Sequence, residues 1–294
     1  MVNLKEFEEN IRAGKIAREC LLYGKSLIKE GQSVLSILEK IEERILKSGG
    51  GIAFPAQMSL NNMAAHFCPT KLNDMILGKD VIKLDIGVHI NGKIADNALT
   101  VDLSKQNSDL LKASEEAVKN AIKLARPGMQ LREIGKTIQE TIESHGFNPI
   151  KNLSGHGLGL YEIHTHPTIP NYDNGDEEEL EEGMTIAIEP FASRGQGHID
   201  ERGSAGVFTV SKVPVRLPLA REIISQYENG LPFARHWLER KYSVNQTALA
   251  LKLLETSGAL TPYGPLVDDG LVSQFENSII VADKPIVFTK SDEE

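Results

Sequence analysis

Hydrophobic residues recur at helical spacing in four long stretches, two near the start of the chain and two near its middle. Apolar residues three or four positions apart form the buried face of an amphipathic helix. The first stretch runs from about residue 4 to Gly31, which interrupts the pattern. The second follows Ser33, a suitable N-cap residue, and ends at Gly49. The same pattern predicts helices over residues 108–125 and 131–144.

Between the two helical pairs, residues 83–103 have the two-residue period of β-strands. Three apolar residues alternate with polar or small ones: Leu84, Ile86 and Val88. Asn91-Gly92 is a strong turn signal, so the stretch is predicted to be a hairpin. Asp85 and Asp96 then lie on facing strands, each flanked by apolar residues. A half-buried carboxylate is costly without a positive partner, and a divalent cation would supply one.

Two segments of similar pattern lie 97 positions apart, EGQSVLSILEKIEERILKSGG from Glu30 and PGMQLREIGKTIQETIESHGF from Pro127. His66 and His164 follow them at nearly the same offset. Two amphipathic helices can resemble each other by chance. The alternative, which we favour, is a duplicated domain whose halves face each other across a site, each half contributing one histidine and acidic strand residues.

The character of the chain changes between residues 193 and 267. Helical patterns cover 217–227, 232–242 and 245–257, and an apolar, hairpin-like end follows, as in a small winged-helix unit. A packed structural insertion is favoured over DNA binding because the segment has no basic excess. Strand patterns at 184–191 and 272–281 flank it, and a final strand is predicted near 286–289. The predicted division is therefore a catalytic domain of residues 1–192 plus 268–294, with an insertion subdomain of residues 193–267.

Composition excludes several classes of protein. The net charge of −9 over 294 residues offers no general surface for nucleic acid or anionic membranes. The two cysteines, Cys20 and Cys68, form no disulfide framework. The first residues lack the apolar region of a signal peptide, and no apolar run is long enough to span a bilayer. We therefore expect a cytoplasmic protein with neither nucleic-acid nor membrane partners.

Five residues carry the candidate chemistry: Asp85, Asp96, His156, Glu189 and Glu276. Four are carboxylates set among apolar strand residues, and the histidine lies in a glycine-flanked turn. Burying four carboxylates together would raise their pKa values unless cations neutralised them. Oxygen-rich ligation with one imidazole suits Mn, Fe(II), Co or Zn. Two such ions can share a hydroxide, a nucleophile for hydrolysis at a carbonyl or phosphoryl centre.

The motifs around these residues closely resemble those of one known family, the type II methionine aminopeptidases. The matching segments are FPAQMSLNNMAAHF, KLDIGVHINGKIAD, NLSGHGLG, IHTHPTIPN, IEPF and QFEN. The resemblance extends from about residue 3, includes the insertion, and points to the archaeal form because a long polybasic N-terminal extension is absent. It implies an α/β (α+β) pita-bread fold with pseudo-twofold halves and a small helical insertion. It also implies removal of the initiator methionine from nascent proteins.

By that resemblance, the five residues bind two divalent metal ions. Asp96 and Glu276 would bridge both ions. His156 and Glu189 would complete the shell of one ion, and Asp85 that of the other. A hydroxide shared by the ions would attack the carbonyl group after the methionine, and Glu189 would transfer the proton.

The resemblance also implies a substrate pocket. His66 and His164 would hold the scissile amide and stabilise the developing oxyanion. Phe54, Ile163 and Tyr263 match residues that line the family's methionine pocket. The implied substrates are nascent polypeptides with a small second residue. The ribosome stays open as a further partner, and a monomer is the default expectation.

Two positions depart from the family pattern. Asn277 follows Glu276 where the family often has histidine, and His166 stands where type II members usually have a small residue. Either change can alter the shape of the pocket or add a metal contact, and neither removes a ligand.

Two other functions compete with this interpretation. Proline-specific aminopeptidases and dipeptidases share the fold and the ligands, but they usually carry an extra N-terminal domain, and here the first ligand is already at position 85. A non-catalytic, ribosome-associated binding protein on the same fold would typically have lost metal ligands, and here all five are present.

Overall fold

The computed structural model describes residues 2–211, 213–215, 218–227 and 229–290. In these residues a 3₁₀ turn at Leu4–Phe7 precedes seven α-helices: α1 (Glu8–Leu27), α2 (Val34–Lys47), α3 (Ser108–Leu124), α4 (Leu131–Ser144), α5 (Pro218–Ile224), α6 (Arg235–Lys241) and α7 (Val244–Thr256). The strands of the N-terminal half are β1 (Gly51–Leu60), β2 (Met63–Ala65), β3 (Val81–Ile90) and β4 (Lys93–Asp102). The remaining strands are β5 (Asn148–Pro149), β6 (Ser154–Gly157), β7 (Thr165–Pro170), β8 (Thr185–Ile188), β9 (Phe191–Ser193), β10 (Asp200–Glu201), β11 (Val207–Val210), β12 (Phe233–Ala234), β13 (Leu260–Tyr263), β14 (Leu266–Val267), β15 (Val272–Gln274), β16 (Glu276–Ile280) and β17 (Ile286–Val287). None of the described helices combines the length and apolar character needed to cross a membrane.

The internal repeat is confirmed in the backbone. Helices α2 and α4 begin and end 97 positions apart, and the ends of α1 and α3 are separated by the same offset. The turn before each second helix uses a glycine at positive φ, Gly31 at 82° and Gly128 at 78°. The turn after each second helix also has a glycine at positive φ, Gly49 at 81° and Gly146 at 79°. Glycine suits these turns because a side chain disfavours that backbone region.

The main sheet has eight strands in the order β1-β3-β4-β16-β8-β6-β7, with β17 beside β16. Every pairing in it is antiparallel. The predicted hairpin is confirmed, with Asn91 and Gly92 both at positive φ, as its tight turn requires. The two helical pairs each pack on one half of this sheet.

The two-residue alternation of apolar and polar residues along the strands determines which face of the sheet is apolar. Leu84, Ile86 and Val88 on β3 join the core cluster formed with α1 and α2. On the other half, Ile186 and Ile188 of β8 pack into the cluster formed with α3 and α4. The residues that alternate with them face away from the helices. The polar strand residues are therefore gathered on the side of the sheet that the helices leave open.

Two of the predicted strands are broken in the structure. The pattern over 184–191 forms β8 and β9, which are separated by Glu189 and Pro190. The pattern over 272–281 forms β15 and β16, which are separated by Phe275. Proline lacks an N–H for the sheet, which accounts for the first break. Both breaks place a carboxylate, Glu189 or Glu276, where a strand ends or begins.

The region predicted as an insertion has an apolar cluster of its own, with Phe208, Phe233 and Leu254 among its members. The predicted helix over 217–227 is the shorter α5, and its expected first residue, Leu217, lies outside the described residues. The helix predicted from 232 begins only at Arg235, because the two preceding residues pair with β11 as β12. At the margins, β10 pairs with β14 and β14 with β2. The division at 193 and 267 stays a prediction.

Candidate active site

Three neighbouring strands bring three of the predicted carboxylates together. Asp85 on β3 pairs with Ala98 on β4, and Ala98 pairs on its other side with Glu276 on β16. Asp96 lies two positions before Ala98 and therefore on the same face of the sheet. The register of the sheet therefore brings carboxylates that are distant in the sequence together in one acidic cluster.

Two further strands complete the cluster. His156 on β6 pairs with Ala187 on β8, and Glu189 follows the last residue of β8. The His156 Nε2 atom lies 3.7 Å from Asp96 Oδ2 and 3.5 Å from Glu189 Oε1. Single donor atoms of Asp96, His156 and Glu276 all lie within 4.8 Å of one another, close enough to hold one metal ion.

The second ring nitrogen of His156, Nδ1, fixes the tautomer and the orientation of the ring. Its Nδ1 atom lies 3.1 Å from the carbonyl oxygen of Gly157. A carbonyl oxygen can only accept a hydrogen bond, so Nδ1 carries the proton. The Nε2 lone pair then faces the carboxylates, the arrangement that a metal-binding imidazole needs.

Burial makes the ionised form of each carboxyl group expensive. It raises the pKa of Asp85 to about 7. Burial, followed by the charge of neighbouring carboxylates, raises the pKa of Asp96, Glu189 and Glu276 well above their ordinary range. Asp85 Oδ1 and Asp96 Oδ1 are buried and accept no hydrogen bond within the described structure. Unpartnered carboxylate oxygens beside an imidazole nitrogen fit divalent cations, which would restore the ionised forms.

Sequence reasoning assigned no role to Gln274, which lies inside this cluster. The residue is only 1% exposed, and its Nε2 atom is placed to donate to Glu189 Oε2 at 3.4 Å and to Glu276 Oε2 at 3.5 Å. Its position two residues before Glu276 was a usable signal, because residues two apart on an extended chain share a face. Gln274 is thus a neutral donor that orients two of the acidic groups.

The cluster lines a cavity of about 810 Å³, within the range of sites that hold small ligands. The remaining predicted site residues line the same cavity: Phe54, His66, Ile163, His164 and Tyr263. The structure therefore brings every predicted site residue to one place, while the individual role of each stays a prediction.

The two outer histidines are held neutral. Burial, and then the nearby His164, lowers the pKa of His66 to about 4. Burial also lowers the pKa of His164, whose ring meets His156 edge-on with centroids 4.5 Å apart. His66 has the unusual φ of 65°, and its backbone N–H donates to Gln57 Oε1 at 2.9 Å. Neutral rings on the cavity wall can donate or accept a hydrogen bond at pH 7.

The two departures from the family pattern lie in different places. His166 lines the cavity, and its Nε2 atom contacts Glu178 at the exposed rim. Asn277 is not among the residues that line the cavity. Its amide oxygen accepts a hydrogen bond from Thr289 at 3.0 Å. Of the two, therefore, His166 has a direct influence on the shape of the cavity.

Comparisons with known proteins agree with this geometry. The model of metallopeptidase family M24 matches residues 8–215. A methionine aminopeptidase of Thermococcus onnurineus is 44% identical over 286 residues, which cover 95% of this chain and 97% of the relative. One from Pyrococcus abyssi is 42% identical over 292 residues, covering 97% and 99%.

Among solved structures, a methionine aminopeptidase from Thermotoga maritima superposes with a TM-score of 0.72 at 24% identity, covering 99% of this chain and 98% of that one. That likeness confirms the pita-bread α/β fold. The family model and the sequence matches show that the chain belongs to metallopeptidase family M24.

Proposed function

We propose that this protein is a methionyl aminopeptidase, which hydrolyses the peptide bond after an N-terminal methionine. The observation that carries the proposal is the convergence of five candidate metal ligands, two neutral histidines and an apolar wall on one cavity. High identity to methionine aminopeptidases over nearly the whole chain supports it. The proposed substrates are nascent polypeptides whose second residue is small, met in the cytoplasm.

Asp85, Asp96, His156, Glu189 and Glu276 would hold two divalent ions, of Co, Mn, Fe(II) or Zn. Support comes from the donor set and from the buried carboxylate oxygens that have no hydrogen-bond partner. Such ions supply Lewis acidity and lower the pKa of a coordinated water toward neutrality, which is the chemistry that amide hydrolysis requires.

The protein's own groups would handle the proton and the substrate carbonyl. Glu189 would accept a proton from the attacking water and return it to the leaving amine. This role requires an ionised carboxylate, the form that bound cations would restore. His66 and His164, neutral at pH 7, would donate hydrogen bonds to the scissile carbonyl as negative charge develops on its oxygen.

The apolar wall would select the first side chain. Phe54, Ile163 and Tyr263 line the cavity together with the groups proposed for catalysis. An unbranched thioether packs well against aromatic and aliphatic surfaces. Methionine is therefore the side chain that this wall is proposed to take.

The direct test is release of methionine from the tripeptide Met-Ala-Ser by metal-stripped protein, before and after adding Mn, Fe(II), Co or Zn. We expect metal-restored cleavage of this peptide and none of an Ala-Pro peptide. Cleavage only before proline would move the protein to the proline-specific peptidases of the same fold. Folded, metal-loaded protein that cleaves neither peptide would contradict the proposal and favour a binding protein.

A further inference from the structure

Strands β4 and β16 carry the two carboxylates that would bridge the ions, Asp96 and Glu276, but their backbone pairing is short. Within the described residues, β4 pairs with β16 at two positions, Ala98 with Glu276 and Asn97 with Asn277. So short a ladder supplies few main-chain hydrogen bonds between the two strands. Other contacts must therefore contribute to fixing one strand against the other.

A serine hydroxyl joins the strands at one end of this pairing. Continued by one position, the register places Ser278 opposite Asp96. The main-chain N–H of Asp96 donates to Ser278 Oγ at 2.9 Å, and the same Oγ donates to the main-chain carbonyl oxygen of Asp96 at 2.8 Å. Ser278 is fully buried, and its own N–H donates to Thr289 Oγ1 at 3.0 Å. The Ser278 hydroxyl therefore holds both main-chain polar groups of Asp96.

A threonine hydroxyl makes the equivalent contact at the other end, with the roles of the strands exchanged. The register places Thr100 of β4 opposite Gln274. The N–H of Gln274 donates to Thr100 Oγ1 at 2.8 Å, and that oxygen donates to the carbonyl oxygen of Gln274 at 2.7 Å. Between the two ends, the side-chain amide of Asn97 donates to the carbonyl oxygen of Glu276 at 2.6 Å. Side chains thus hold the backbone on both sides of Glu276 and at Asp96.

These contacts act on the carboxylates through the main chain. Without the Ser278 hydroxyl, two buried main-chain groups of Asp96 would lose their partner, which is costly. The strand would shift to find another partner, and the carboxylate of Asp96 would move with it. Metal affinity is sensitive to groups that orient the ligands without touching the metal.

We propose that Ser278 and Thr100 are positioning residues for the metal site. Their hydroxyls fix the spacing of β4 and β16 at which Asp96 and Glu276 present their carboxylates to a shared ion. Neither residue lines the cavity, so each acts only through the backbone that it holds. The inference rests on the metal site of the function proposed above, and it adds the residues that hold this site in shape.

Calorimetric titration of the metal-stripped protein with Mn(II) tests the role of Ser278. We expect Ser278→Ala to weaken Mn(II) binding at least about tenfold, as is typical when a group that orients ligands is lost. Ser114→Ala is the matched control. Ser114 on α3 is equally buried, but its hydroxyl bonds to Leu111 and Ser273. This control should keep the wild-type affinity.

Thr100 allows a test that adds no atom to the core and opens no cavity. Thr100→Val replaces the hydroxyl by a methyl group of similar size, and it should weaken Mn(II) binding about threefold, the value of a lost hydrogen bond. Thr100→Ser keeps the hydroxyl and should restore the wild-type affinity. If Ser278→Ala does not fold, this pair of variants decides.

The visible absorption of bound Co(II) separates positioning from a general loss of stability, because it reports the arrangement of the ligands. At saturating Co(II), we expect altered spectra in Ser278→Ala and Thr100→Val and the wild-type spectrum in Thr100→Ser and Ser114→Ala. Wild-type affinity and spectrum in both variants that lack a hydroxyl would overturn the proposal. Equal changes in Thr100→Ser or Ser114→Ala would also overturn it, because any substitution in the core would then disturb the site.

These measurements need no peptide cleavage, so their failure is distinguishable from failure of the proposed function. A wild type that binds Mn(II) but releases no methionine from Met-Ala-Ser would refute the function and leave the positioning role in place. A wild type that binds no divalent ion would refute the metal site, and the positioning role with it.

Discussion

Two sets of carboxylates are buried in this protein, and only one set is balanced by the chain's own cations. Glu42 receives the indole N–H of Trp237 and the guanidinium of Arg240. Glu239 is likewise buried and meets Arg235 at 2.8 Å. In the cavity of the candidate active site, no lysine or arginine among the described residues pairs with Asp85, Asp96, Glu189 or Glu276. The difference shows that a buried acid need not indicate a metal. Buried acids that receive no cation from the chain must either stay protonated or bind a cation from outside.

The cation nearest to the active cluster in sequence is used elsewhere. Lys83 lies two positions before Asp85 on the same strand face, and it is buried. Its Nζ atom donates to the backbone carbonyl of Asn61 at 2.7 Å, away from the acidic cluster. The hairpin thus contains a positive group but does not bring it to the aspartates. This placement leaves the cluster to cations from outside the chain.

The largest effect is expected from Asp96→Asn. The change removes one of the three groups whose donor atoms lie within 4.8 Å, so metal-dependent kcat/KM should fall on the order of 10³-fold or more. Metal affinity, measured by calorimetry, should fall with it. The matched control is Asp109→Asn, at an exposed position on α3. Unchanged metal affinity in Asp96→Asn would refute the ligand assignment.

The Asp96→Asn variant also tests the cost of burying this carboxyl group in the metal-free protein. Folding raises the pKa of Asp96, so ionisation of this group opposes folding. The stability of the folded protein therefore falls as the pH rises above the pKa that Asp96 has in the unfolded chain. Asp96→Asn should therefore equal or exceed the wild type in urea unfolding with chelator present, and its advantage should grow from pH 6 to pH 8.

Glu42→Gln is expected to act in the opposite direction. It weakens the acceptor of Trp237 and Arg240 and should lower the free energy of unfolding by about 1–3 kcal/mol. Urea midpoints of the metal-free protein measure this, with the exposed Glu115→Gln as control. Should Glu42→Gln stabilise the metal-free protein as Asp96→Asn does, the two carboxylate sets would not differ in the way described.

Gln274→Leu tests whether the side-chain amide of Gln274 orients the carboxylates of the acidic cluster. Losing the hydrogen bonds to Glu189 and Glu276 should weaken metal binding about tenfold, the lower end of effects seen for groups that orient ligands. Calorimetric titration with Mn(II) measures it. Gln139→Leu provides a matched control, because Gln139 also donates to a glutamate, at 2.8 Å, on an exposed helix face. Equal affinities in both variants would show that Gln274 only fills space.

The smallest effect concerns His66. Its pKa is lowered to about 4 in the folded protein, below the ordinary value of about 6.5. The unfolded state therefore binds more protons as the pH falls, and the stability present above pH 6.5 is lost toward pH 4. The residue as a whole is half-buried, so from pH 7 to pH 5.5 the wild type should lose about 1 kcal/mol more stability than His66→Asn. Parallel losses in the two proteins, read from urea midpoints, would contradict the shift.

Much of the fold could be predicted because its signals are local. The helices α2, α3 and α4 follow from apolar spacing and their bounding residues, and the hairpin follows from alternation around Asn91-Gly92. The repeat was detectable because both of its halves keep a glycine where the backbone turns to positive φ. Prediction was wrong where tertiary pairing overrides local pattern, as at Phe233, where a helix was expected and β12 pairs with β11.

The candidate functional residues were found by type and motif, and their convergence could only be stated as an expectation. Gln274 was missed because an amide within a strand has no distinctive local signal, and its role depends on Glu189, 85 positions away. The network around Glu42 was missed for the same reason, because its partners lie nearly 200 positions along the chain.

The sequence by itself determined the four long helices α1 to α4, the hairpin, the duplicated plan and the chemical types of the candidate metal ligands, because each depends on neighbours within a few residues. The tertiary structure alone decided which buried acids are neutralised and which are not. It also decided that Gln274 lies within hydrogen-bond distance of both Glu189 and Glu276. Both depend on the sheet register and on packing between distant segments, and burial sets the cost of a charge only after those segments have met.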